Sequence, residues 1–85
     1  MRSFKYKIQD ETGLHARPAG KLVKLARELD SAVTLAAGER QADGTGLFAV
    51  LGLGVKKGTV VTVTVSGGDE ESSLKLLEAF FRENL

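Results

Sequence analysis

The chain contains no cysteine, and only one histidine and one proline occur among its 85 residues. Without cysteine there are neither disulfides nor thiolate metal sites. Zinc held by a single histidine would need several carboxylates to complete its shell, so no metal and no cofactor is expected. No stretch approaches the roughly 18 apolar residues of a membrane span, and charges run through the first residues. Neither membrane insertion nor export is expected, and the cytoplasm is the expected location. A surplus of one charge is missing as well. Twelve Lys and Arg stand against 11 Asp and Glu, which leaves no broad positive field for nucleic acid. Any cationic function has to be local.

What remains has the composition of an ordinary globular domain, 42% hydrophobic and 27% charged, short enough that residues 1–85 make one domain. Phe4, Tyr6 and Ile8 alternate with polar residues, which predicts a half-buried strand over residues 2 to 9. From Ala16 the period changes. Ala19, Leu22, Val23, Ala26 and Leu29 recur at spacings of three and four, an amphipathic helix whose first turn tolerates Pro18. Residues 32–37 and 40–43 form two short strands around Gly38, with Val33 and Leu35 facing inward. A brief helix starts at Leu47, and Gly52 or Gly54 supplies its left-handed end. The β-branched run from Thr59 to Ser66 predicts a central strand. Asp69, Glu70 and Glu71 then open a last helix with Leu74, Leu77, Phe80 and Phe81 on one side. The order βαββαβα predicts an α+β fold, with helices covering one face of a largely antiparallel sheet.

The chemically pointed stretch is Gly13-Leu14-His15-Ala16-Arg17-Pro18-Ala19. It sets the only histidine immediately before the first helix, with a guanidinium two residues on. A phosphoryl group on this ring would meet free first-turn N–H groups, the positive end of the helix dipole and the donor fork of Arg17. The dipole also favours the uncharged ring, the form with a lone pair to attack phosphorus. By residue chemistry alone, His15 can equally be a surface or helix-capping histidine. Arg17, Lys21, Lys24 and Arg27 fall along one side of the helix as a local basic stripe, which can equally be a solvated face. Leu47 and Phe48 can be core or contact residues; Val50 is expected buried and Phe48 partly exposed.

The segment Gly-Leu-His-Ala-Arg-Pro-Ala resembles the active-site signature of HPr, the phosphocarrier family of the bacterial phosphoenolpyruvate-dependent sugar phosphotransferase system. The resemblance continues through Leu47-Phe48, Leu53-Gly54-Val55, Lys57-Gly58 and the acidic start of the last helix. It implies an open-faced β-sandwich with a four-stranded antiparallel sheet. It also implies a phosphohistidine at His15, loaded through Nδ1 by enzyme I, and Arg17 assisting transfer to enzyme IIA. The phosphate would lie against His15, Ala16 and Arg17. Partners would dock on Gly20, Lys24 and Arg27 of the first helix and on Leu47, Phe48 and Leu51 of the second. The protein would act as a monomeric, substrate-like intermediate between two enzymes rather than as a stand-alone enzyme. Gly46 stands where many Gram-positive relatives carry a kinase-regulated serine, so that switch is expected to be missing, and Thr45 or Gly44 is expected to cap the short helix. Two other readings stay open: a regulatory paralogue using the same phosphohistidine, and a noncatalytic module such as an RNA-binding domain with a bare sheet face.

Overall fold

A computed structural model describes residues 1–85. Seven elements follow in the order expected: β1 Arg2–Lys7, α1 Ala16–Glu28, β2 Ala32–Ala37, β3 Arg40–Asp43, α2 Leu47–Gly52, β4 Val60–Ser66 and α3 Glu70–Asn84. The strands form one sheet in the order β1-β4-β2-β3, antiparallel at each pairing, so the Thr/Val-rich β4 is central. This is the four-stranded open-faced architecture that the sequence implied.

Register explains which face is covered. Phe4 and Tyr6 stand opposite Val63 and Val61, and Leu35 opposite Val63 and Ala42, so these side chains share the inner face. Against them pack Leu22, Val23 and Ala26 of α1, Val50 of α2, and Leu77 and Phe81 of α3, all buried. The outer face carries Ser3, Lys5, Thr62, Thr64 and Thr34, which alternate with the inner set along each strand. No aromatic lies on that face. Phe4 and Tyr6 instead meet Phe81 edge-on with ring centroids 5.7 and 5.5 Å apart, which removes the stacking platform an RNA-binding sheet requires.

Some boundaries differ from the sequence expectation. β1 ends at Lys7 rather than at residue 9: Ile8 still donates to Thr59 O at 2.9 Å, but Gln9 and Asp10 turn to Leu85 O at 2.6 and 2.8 Å. The chain leaves the ladder there and is tied to the end of α3. β4 starts at Val60, since Thr59 belongs to a turn in which its N–H donates to Lys56 O. Gly38 (φ 61) turns the β2–β3 hairpin, and Gly54 (φ 64), not Gly52, takes the left-handed position after α2. α3 is capped by Asp69, whose carboxylate accepts the Ser72 N–H at 3.1 Å. α2 has no side-chain cap. Its cap residue is Gly46 itself, so neither Thr45 nor Gly44 takes that role; the N–H and hydroxyl of Thr45 both donate to Asp43 and hold its carboxyl below the usual range.

Candidate functional site

His15 is the N-cap residue of α1. Its backbone is extended (φ −88°, ψ −174°), its carbonyl accepts the Ala19 N–H at 2.9 Å, and its side chain makes no capping bond. The imidazole is therefore exposed and free. Pro18 brings no N–H to the first turn, so Ala16 and Arg17 carry the unpaired amides at this helix end. The approach to His15 is stapled by backbone bonds: Gly13 N–H to Asp10 O (3.0 Å), Leu14 N–H to Val55 O (3.1 Å) and His15 N–H to Gly13 O (3.0 Å).

Gly13 makes that path possible. Its φ is +67°, and a Cβ there would strike Val55 O and lie 2.8 Å from Lys56 Cα. Gly13→Ala should cost at least about 1–2 kcal/mol through the left-handed backbone alone, with the collision in addition. Urea unfolding of the variant should show the midpoint fall, and a midpoint matching the parent would contradict the account.

A polar concavity of about 190 Å³ opens beside the ring, lined by Asp10, His15, Arg17, Pro18, Lys21 and Asn84. It brings His15 and Arg17 together as the sequence suggested. It also brings in three polar residues that were not singled out as site residues. In the sequence Lys21 stands out only as part of the basic stripe, one turn beyond Arg17. Asp10 lies five residues before His15 with no pattern to flag it. Asn84, at the far end of the chain, arrives only because α3 runs back along the sheet. Thr12 donates its hydroxyl and its backbone N–H to Asp10 at 2.6 and 2.8 Å; these bonds, the first the stronger, hold the Asp10 carboxyl below its usual range.

A second, larger groove of about 690 Å³ runs between α1 and α2. Gly20, Lys24 and Arg27 line it from α1, and Leu47 and Phe48 from α2. Val50 is buried as expected, whereas Phe48 is 86% exposed, well beyond a partial exposure. Leu51 is half-buried and does not line the groove. No Cβ-sized obstacle lies within 4 Å of Gly20, so the groove stays open at that point. Of the four cations of the α1 stripe none is in an ion pair; Arg27 donates through Nε to Thr45 O at 3.1 Å. With Arg40, which donates to Gly52 O at 3.1 Å, it ties both ends of α2 to neighbouring elements. No group of three or more His, Asp and Glu side chains is gathered where a metal ion could be held, and no helix is long and apolar enough to cross a membrane.

Comparison with known proteins gives a family match over residues 2–83, to the model described as the PTS HPr component phosphorylation site. The phosphocarrier protein HPr of Mycoplasma capricolum subsp. capricolum is 33% identical over 92% of this chain and 88% of its own. Among solved structures, a mycoplasma histidine-containing phosphocarrier protein superposes with a TM-score of 0.93 at 30% identity, covering 96% of this chain and 93% of that one. A second, an HPr dimer from Thermoanaerobacter tengcongensis, does so with a TM-score of 0.76 at 30% identity, covering 98% and 95%.

Proposed function

The chain belongs to the HPr family of phosphocarriers, and we propose that it accepts a phosphoryl group on His15 from phospho-enzyme I and passes it to an enzyme IIA of the phosphoenolpyruvate-dependent sugar phosphotransferase system. One observation carries this reading: the only histidine stands exposed and unbonded at the N-cap of α1, in a polar concavity shared with Arg17. The uncharged ring attacks phosphorus with its nitrogen lone pair, through Nδ1 as the family resemblance implies, while the bond from phosphorus to phospho-enzyme I breaks and its electron pair stays with that enzyme. The amides of Ala16 and Arg17 and the Arg17 guanidinium are placed to receive the phosphoryl oxygens. Phosphoryl transfer demands positioning and charge stabilisation more than covalent chemistry, so the enzymes on either side supply the rest.

The groove between α1 and α2 is the docking surface in this reading. Phe48 gives it an apolar anchor, and the unpaired Lys24 beside Arg27 suits an acidic partner and speeds encounter without tight binding. One copy suffices for this reading, since the concavity beside His15 and both walls of the groove come from a single chain. Gly46 offers no hydroxyl to a kinase, and the Thr45 hydroxyl is engaged with Asp43 at 2.7 Å.

Incubating the intact chain with enzyme I and phosphoenolpyruvate should add the mass of one acid-labile phosphoryl group, placed on His15 by fragmentation. Labelling at another residue, or none, would overturn the proposal. Adding enzyme IIA should then empty the carrier; a phosphohistidine that no enzyme IIA drains would favour the regulatory paralogue. Phe48→Ala should raise KM for the carrier by about tenfold with kcat little changed, as expected when a ground-state contact is removed. A KM equal to the parent's would place docking elsewhere.

A further inference from the structure

Two opposite charges share the concavity with the imidazole and have no part in the mechanism above. Asp10 comes from the loop after β1 and Lys21 from the second turn of α1. Thr12 fixes the Asp10 carboxylate by donating its N–H and its hydroxyl to Oδ1 at 2.8 and 2.6 Å. That carboxylate is held in its anionic form by the same bonds. Lys21 is exposed and enters no ion pair. A phosphoryl group on His15 brings close to two negative charges into the space that both residues line.

We propose that Asp10 and Lys21 form an opposed pair that sets how readily the phosphoryl group leaves His15, the carboxylate by repelling it and the ammonium by retaining it. The inference rests on the reading that His15 carries the group. In the departure step the P–N bond breaks with its electron pair going to the ring nitrogen. The acceptor's nucleophile meanwhile forms its bond to phosphorus. With the ring's second nitrogen protonated, the ring leaves as neutral imidazole and that proton does not move. Arg17 holds the phosphoryl oxygens, whereas Asp10 and Lys21 act on the same oxygens by charge, one raising and the other lowering the free energy of the loaded carrier.

The two residues therefore have effects of opposite sign, which a merely structural role would not produce. Asp10→Asn retains an oxygen to accept from Thr12, so the loop keeps its turn while the charge is lost. At equilibrium with phospho-enzyme I, Asp10→Asn should shift the balance about threefold to tenfold toward loaded carrier and slow delivery to enzyme IIA. Lys21→Gln should shift it by a similar factor the other way, and the double variant should return near the parent. Both shifts should shrink as salt is raised, and Asp10→Glu should behave as the parent. If the parent loads normally while both variants match it, or both move in one direction, the pairing is wrong although the phosphohistidine stands. If the parent itself does not load, the phosphohistidine reading falls and this inference with it.

Discussion

Replacing His15 by alanine should give a folded protein that accepts no phosphoryl group. The loss is expected to be complete because the chain has no second histidine to carry the group. The fold should survive because the side chain is exposed and makes no capping bond, while His15 serves α1 through its backbone carbonyl, which alanine supplies equally. An N-cap substitution costs about 1 kcal/mol when it removes a side-chain bond to the first turn, and there is none here to remove. Intact mass after incubation with enzyme I and phosphoenolpyruvate reads the first expectation, and thermal unfolding reads the second. A variant that still gains the phosphoryl mass would refute the site; one that unfolds far below the parent would refute the account of the cap.

The largest effect on stability is expected at Phe81. It is fully buried and meets Phe4, Tyr6 and Phe80 edge-on, with centroids 5.7, 5.5 and 6.1 Å away, so it joins α3 to β1 through aromatic contacts. Phe81→Ala removes the whole ring from a packed interior, a change that costs about 3–5 kcal/mol. Small domains have a total of roughly 5–15 kcal/mol, so the variant should be marginal and should melt roughly 15 °C or more below the parent. The damage should reach the site as well. Asn84 lies on the same helix, and the Leu85 carbonyl holds the N–H groups of Gln9 and Asp10, so a loosened α3 frees one wall of the His15 concavity. A melting temperature within a few degrees of the parent would show that the aromatic cluster repacks around the gap.

Much of this architecture is written in local patterns. The switch from period two to period three-and-four between Ile8 and Ala19 marks the first strand and helix. The β-branched run marks β4 as interior, because such side chains pack well on a pleated surface covered by helices. His15 was legible because its place before α1 and the guanidinium two residues later are both sequence-local. The rest depended on contacts between distant segments. Gln9 leaves β1 because its N–H finds Leu85 O, 76 positions away. Asn84 enters the concavity for the same tertiary reason. The cap of α2 differs from the sequence expectation because Thr45 has the residue type of a capping side chain, yet its hydroxyl is taken by Asp43, and Gly46 occupies the cap position. Phe48 is more exposed than a helix pattern of apolar residues suggests, since a six-residue helix with Val50 turned to the core presents its other side to solvent.

The unpaired edge of β1 has a consequence for how copies of the protein meet. A strand with a free row of N–H and C=O groups invites another chain to extend the sheet. Here Lys5 and Lys7 project from that strand, and β3 at the opposite margin is only four residues long. Two copies aligning their first strands would bring these like charges together, which discourages edge-to-edge aggregation.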